Sequence, residues 1–177
     1  AKDKTVLNLF CYTGGFSIYA LNAGAKSVDS VDSSKKAMDL VKENVHLNGF
    51  EEGVQHHSYC EDAIEFMRNA AGNKYDLIVV DPPAFAKHRG ALDNALRAYK
   101  RLNALAIEKV KPGGLVFCYS CSQVVDKQAF ALAIFSAAAQ TGRKVRILHR
   151  LTQPADHPVS IYHPEGEYLK GLVLLVE

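Results

Sequence analysis

A carboxylate followed by two prolines and an aromatic ring, Asp81-Pro82-Pro83-Ala84-Phe85, and a thiol between two hydroxyls, Ser120-Cys121-Ser122, are the residues of this chain best suited to chemistry. Each closes an apolar run of strand character, Tyr75 to Asp81 in one case and Leu115 to Ser120 in the other. Prolines stop the first run because they cannot donate to a sheet ladder. A rigid turn of this kind suits a flat heteroaromatic substrate: Phe85 would be a stacking wall, Pro82 and Pro83 would line the turn, and Asp81 would hydrogen-bond or donate a proton. A thiolate at the neighbouring strand end has a defined task. Carbon-5 of cytosine is too weak a nucleophile to attack a sulfonium methyl group unaided, whereas addition of Cys121 to carbon-6 generates an enamine that can. The plainer readings are a strand terminator for the first segment and a buried structural thiol for the second.

Residues so placed need a sheet to hold them. Apolar runs alternate with amphipathic segments along the chain, the pattern of parallel strands covered by helices on both faces. The expected strands are Thr5 to Cys11, Ser27 to Asp32, Val54 to Tyr59, Tyr75 to Asp81, Leu115 to Ser120, Val145 to Leu151 and Tyr168 to Val176. The expected helices run from the Thr13-Gly14-Gly15 turn to Asn22, from a Ser33 or Ser34 cap to Asn48-Gly49, from Asp62 to Asn69, from Leu92 to Val110 and from Phe130 to Gln140. Only a loop rich in Pro, His and Glu separates the final two strands, so they should form a hairpin with the last strand antiparallel. No repeat, low-complexity tract or linker interrupts the pattern.

Ligands of open α/β sheets bind beyond the carboxyl ends of the strands. The first strand ends in Phe10-Cys11-Tyr12-Thr13-Gly14-Gly15, where glycines permit close backbone approach and a helix N-terminus supplies free N–H groups. Asp32 closes the second strand, where a carboxylate can accept both ribose hydroxyls, and Asp62 follows the third, where one can accept from an adenine amino group. Either aspartate also reads as a helix cap. Together they describe an adenosine-shaped ligand, and the absence of a G-x-G-x-x-G fingerprint favours S-adenosylmethionine over NAD.

With 177 residues, 48% of them hydrophobic, the chain can bury the core of one domain, and its net charge of +2 falls short of a dedicated phosphate-binding surface. Four cysteines without a signal peptide favour a reducing, cytoplasmic setting, and no apolar run is long enough to span a bilayer. Cys118 and Cys121 form C-x-x-C, but three positions along a strand point to opposite faces, so neither a metal nor a disulfide is expected. Lys87 and Arg89 are candidates for gripping RNA phosphate beside the site, in competition with an ordinary solvated face.

These motifs resemble the bacterial RNA cytosine-5 methyltransferases that act on large-subunit ribosomal RNA. The likeness covers essentially the whole chain, through Asn8 to Ser17, Asp81 to Phe85, Ser120 to Ser122, Ala155-Asp156-His157-Pro158-Val159 and Pro164-Glu165-Gly166-Glu167-Tyr168-Leu169-Lys170-Gly171. It implies a Rossmann-like class I methyltransferase fold: a seven-stranded, mostly parallel sheet of order 3-2-1-4-5-7-6. It also implies S-adenosylmethionine held by Phe10, Tyr12, Thr13, Gly14, Gly15, Asp32, Ser33, Asp62, Ala63 and Asp81, with Cys121 as nucleophile. Relatives of this kind carry an RNA-binding domain of the PUA type and a connecting domain ahead of this core, so the 1–177 domain is expected to be a C-terminal fragment whose RNA binding needs them. In the related RNA uracil-5 methyltransferases a glutamate base stands just before the last strand; here Lys170 occupies that neighbourhood, and Glu165, Glu167 and His157 stay open as bases.

The expected activity is transfer of a methyl group to carbon-5 of a cytosine in 23S ribosomal RNA. Two alternatives remain. One is methylation of an exocyclic nitrogen without covalent catalysis, since Asp-Pro-Pro-x-Phe also resembles loops that bind planar amino groups. The other is a non-catalytic scaffold that binds RNA or the cofactor.

Overall fold

The computed structural model describes residues 1–177. Strands β1 (Thr5–Leu9), β2 (Ser27–Asp32), β3 (His56–Cys60), β4 (Tyr75–Val80), β5 (Val110–Ser120), β6 (Val145–Leu151) and β7 (Lys170–Val176) form one sheet of order β3-β2-β1-β4-β5-β7-β6. β7 pairs antiparallel with both β5 and β6, and every other pairing is parallel. This is the expected doubly wound sheet ending in a reversed strand.

The period-two alternation of the strands sorts side chains onto two faces. On one, Val6 and Val28 meet α1 (Gly15–Asn22) and α2 (Lys35–Leu47) through Ala20, Leu21, Met38, Val41 and Val45. On the other, Leu7, Leu9, Val31, Ile78 and Val80 join a larger core with α3 (Ala63–Asn69), α4 (Leu92–Lys109) and α5 (Lys127–Thr141). α4 and α5 lock together where the Tyr99 and Phe130 rings meet edge to face, centroids 5.3 Å apart. No helix is long and apolar enough to cross a membrane.

Several boundaries differ from the sequence expectation, each for a local reason. β1 stops at Leu9, two residues early, because Phe10 and Tyr12 adopt left-handed backbone angles (φ 57° and 49°) that no strand tolerates. β3 starts at His56, since the amides of Val54 and Gln55 are spent on a turn to the Glu51 carbonyl. α5 begins three residues early because the Asp126 carboxylate accepts from the Ala129 amide at 2.7 Å and caps it. β7 begins at Lys170 because the Gln153 side-chain oxygen takes the Tyr168 and Leu169 amides. The long β6–β7 loop contains a short 3-10 turn, Pro164–Gly166, where only irregular chain was expected.

β5 begins at Val110, five residues before the strand expected from Leu115, and contains an irregular segment. Val110 already pairs with Tyr75, and after Lys111-Pro112-Gly113-Gly114 the ladder resumes at Leu77 and Leu115. A Cβ on Gly114 would lie 2.6 Å from Val110 Cγ2, 2.8 Å from the Lys111 oxygen and 2.9 Å from the Asp76 oxygen. Two of those neighbours are backbone and cannot yield cheaply. Gly114→Ala should therefore lower stability by about 1–3 kcal/mol, whereas Gly72→Ala, with open space around it, should change it by less than about 0.5 kcal/mol. Urea unfolding of the two variants measures the difference.

Candidate active site

The order of strands reverses direction between β1 and β4, so a crevice opens where their carboxyl ends diverge. The β1 end turns sharply through three left-handed residues, Phe10, Tyr12 and Gly14. The Gly14 amide closes the turn onto the Cys11 carbonyl at 2.8 Å, the Cys11 amide donates to the Val31 carbonyl at 3.1 Å, and the Asn44 side-chain amide donates to the Thr13 carbonyl at 2.9 Å. Gly14 needs its left-handed angle (φ 86°) and sits against Val41, while Gly15, the first residue of α1, has nothing within 4 Å of where a side chain would stand. No side chain caps α1, so its leading amides face that open space.

Asp32 ties two strand ends together. One carboxylate oxygen accepts from the Tyr12 amide at 3.0 Å and the other from the Ser34 amide at 2.9 Å. It is not the cap of α2; Ser34 is, through its hydroxyl. Ser33 is exposed between them. Asp62 does cap its helix, accepting from Ile64 and Glu65 with the same oxygen, which leaves its second oxygen unengaged. Ala63 behind it is buried. Open space over Gly15, one wholly free carboxylate oxygen at Asp62 and spare lone pairs at Asp32 are what an adenosine would require of this edge.

β4 delivers Asp81 half-buried, and burial alone pushes its carboxyl above the ordinary range, with no cation or hydrogen bond to offset it. Pro82 is buried and Pro83 exposed. The Phe85 ring is not a free wall: it packs on Tyr99 in a tilted contact, centroids 4.8 Å apart, so the core fixes its position and only part of it reaches solvent. Lys87 and Arg89 follow in an exposed stretch and form no ion pair.

The Ser120-Cys121-Ser122 segment is pinned from inside. Ser120 Oγ donates to the Tyr99 hydroxyl at 2.9 Å, Tyr99 and Ser122 share a hydroxyl pair at 3.1 Å, and the Ala86 amide donates to Ser122 Oγ at 3.3 Å. Both serines are fully buried, so the residue between them turns toward the crevice, with Cys121 Sγ 3.9 Å from the Pro82 carbonyl oxygen. Burial first, and then the Asp81 carboxylate, raise the Cys121 thiol; Lys170 opposes them. Cys118 lies wholly in the core and is pushed up by that burial, while Cys11 is pushed up to about 12 beside Met38. Cys118 is therefore interior and Cys121 part-exposed.

Sequence reasoning overlooked two neighbours of this segment, Tyr99 and Tyr119, and assigned nothing to a third. Tyr99, mid-helix, carries no local signal. Tyr119, stacked on Phe16 at 5.6 Å and pushed up to about 12 by burial and then by Asp81, is visible only in the cross-strand smallness of Gly171. Lys170 was placed near the site but given no role. The three open bases lie at the surface: Glu167 pairs with Lys127, His157 lies 3.3 Å from Asp156 and Glu165 lies 3.5 Å from His163.

Comparison with known proteins follows the same division of the chain. A family profile described as S-adenosylmethionine-dependent methyltransferase matches residues 1–172. The chain is 44% identical over 176 residues to ribosomal RNA large subunit methyltransferase I of Tolumonas auensis, covering 98% of this chain and 44% of that protein. It is 43% identical over 178 residues to the protein of the same name from Vibrio cholerae, covering 99% and 45%. The chain thus spans less than half the length of these relatives. The crystal structure of the methyltransferase SMU.776 complexed with SAH superposes with a TM-score of 0.85 at 26% identity, over 99% of this chain and 46% of that one. Trm5b from Pyrococcus abyssi shares the fold with a TM-score of 0.72 at 21% identity, over 99% and 45%.

The four thiols should separate by reactivity. In the native protein iodoacetamide should label exposed Cys60 and part-exposed Cys121, and leave Cys11 and Cys118 untouched until unfolding. Because its thiol is raised, Cys121 carries less thiolate at neutral pH than a free cysteine, so its labelling should still be climbing above the pH at which free cysteine levels off. Site-resolved mass spectrometry against pH measures both.

Proposed function

The chain belongs to the family of S-adenosylmethionine-dependent methyltransferases, and from that premise we propose that it methylates carbon-5 of a cytosine in large-subunit ribosomal RNA through a covalent adduct on Cys121. The observation that carries this reading is the approach of the Cys121 thiol to the β4 end, 3.9 Å from the carbonyl oxygen of Pro82 and close enough to Asp81 for that carboxylate to raise it. The RNA class is supported by the names of the relatives. S-adenosylmethionine, once bound, supplies an electrophilic methyl group. Phe10, Tyr12, Thr13, Gly14, Gly15, Asp32, Ser33, Asp62 and Ala63 would hold its nucleoside end, and Asp81 would stand at its reactive end.

Chemistry follows from the residues of the niche. The target base must leave its stack to reach a recessed thiol. Cys121 sulfur then adds to carbon-6, the ring's 5,6 double bond shifts its electrons toward carbon-5, and Asp81, protonated more readily than an ordinary carboxyl, donates to ring nitrogen-3. Carbon-5 takes the methyl group, a base removes the carbon-5 proton, the electrons of that bond re-form the 5,6 double bond and expel the sulfur as thiolate, and ring nitrogen-3 returns its proton to Asp81. Lys87 and Arg89, exposed beyond the Pro-Pro turn, would meet RNA phosphates.

The absence of an internal partner for Asp81 also favours a carboxylate that binds a planar amino group, as methylation of an exocyclic nitrogen would require. The two readings part at the thiol. In the full-length protein, Cys121→Ala should cut turnover by roughly a thousandfold or more while leaving cofactor affinity within about twofold, and nucleoside mass spectrometry should find 5-methylcytosine in the wild-type product. Undiminished methylation by the variant, or a methyl on nitrogen, eliminates the covalent route. Asp32→Ala should weaken cofactor binding by about tenfold to a hundredfold, the loss of charge-assisted hydrogen bonds worth about 1.5–3 kcal/mol, as isothermal titration would show.

A further inference from the structure

Lys170 is the only lysine or arginine among the buried residues, at 7% exposure. It opens β7 directly across the ladder from Ser120, and its ammonium donates to the Ser122 carbonyl at 2.7 Å. Ser120 and Ser122 flank Cys121, so this cation approaches the thiol from the β7 side while Asp81 approaches from β4. A buried ammonium without a carboxylate partner is costly, and no ion pair compensates Lys170. The charged groups that face it are Cys121 from the β5 end, with Asp126 and Lys127 from the start of α5; Lys127 is itself paired with Glu167. The same side chain borders an open polar depression of about 400 Å³ lined by Gln123, Asp126, Lys127 and Glu167.

We propose that Lys170 is a positioning residue that lowers the cost of forming the Cys121 thiolate, a role that rests on the reading of Cys121 as nucleophile. The thiol proton passes to bulk water, the sulfur keeps the electron pair that forms the bond to carbon-6, and Lys170 stays protonated throughout. Asp81 sets the timing. While its carboxylate is charged it disfavours the thiolate; once it carries the proton destined for ring nitrogen-3, that repulsion is gone and the field of Lys170 is opposed by burial alone. Protonating the acid thus eases formation of the nucleophile.

Site-resolved alkylation of Cys121 against pH, in the cofactor-free full-length protein, tests this apart from methyl transfer. Lys170→Met should move the midpoint up by about one pH unit, so that labelling below the midpoint slows by about tenfold. Lys170→Gln should behave alike, and Lys170→Arg, which keeps the charge, should stay close to wild type. Turnover of the Met variant should fall while KM for RNA and cofactor affinity hold. A Met profile that superimposes on wild type overturns the proposal. So does an Arg variant displaced as far as Met, since the lysine would then be only a structural tie to Ser122. Should Cys121→Ala remain active, the nucleophile reading fails on its own, and the alkylation profiles still report whether Lys170 governs the thiol.

Discussion

A buried tyrosine hydroxyl organises the reactive end of this protein. Tyr99 sits midway along the longest helix and meets Ser120 and Ser122 at once, while Ser122 also takes the Ala86 amide from the Pro-Pro turn. Buried hydroxyls that lose their partners cost about 1–3 kcal/mol each, so β5 cannot end in another conformation without leaving several unsatisfied. Pinning both serines inward leaves Cys121 no direction but the crevice. The same ring carries Phe85 and Phe130 on its faces and edge, which ties the position of the thiol to the packing of α4 against α5.

Around that sulfur the charges are few and opposed. Asp81 has nothing to lower it, Lys170 has no ion-pair partner and feels the Asp126 carboxylate only at longer range, and both act on Cys121. A surface pair of this kind would be screened to little consequence. Here burial keeps both effects on the thiol, and neutralising either charge alters it. The opposite end of the crevice is built differently: Asp32 and Asp62 are fixed by backbone amides, and the β1 turn supplies curvature through left-handed residues. That end is rigid and polar, fit to hold a ligand; the thiol end is electrostatically adjustable, fit to change protonation.

Much of this was legible before any coordinates. Seven apolar runs, alternating with helices whose faces recur at helical spacing, specify a doubly wound sheet because each must bury a face and strand-helix alternation leaves few ways to do so. The reversed last strand followed from the lack of a helix after Leu151. Asp32, Asp62, Asp81 and Cys121 could be placed at strand ends because each sits where an apolar run stops, and such stops fall on one edge in parallel sheets. Misjudged boundaries fell where side chains compete for backbone donors, at Asp126 and Gln153, or where the backbone turns left-handed, at Phe10 and Tyr12.

What the sequence determined by itself was therefore the set of strand ends and the chemical types stationed there, because period and punctuation are local properties of a chain. Only the tertiary structure decided that Phe85 would turn to the core, that Tyr99 would hold the serines, that Tyr119 would lie near Asp81, and that Lys170 would be buried against the thiol loop. These relations join residues tens of positions apart through hydroxyl bonds and low-dielectric charge coupling. Both fall off within a few ångströms, so they exist only once the sheet has brought β4, β5 and β7 side by side.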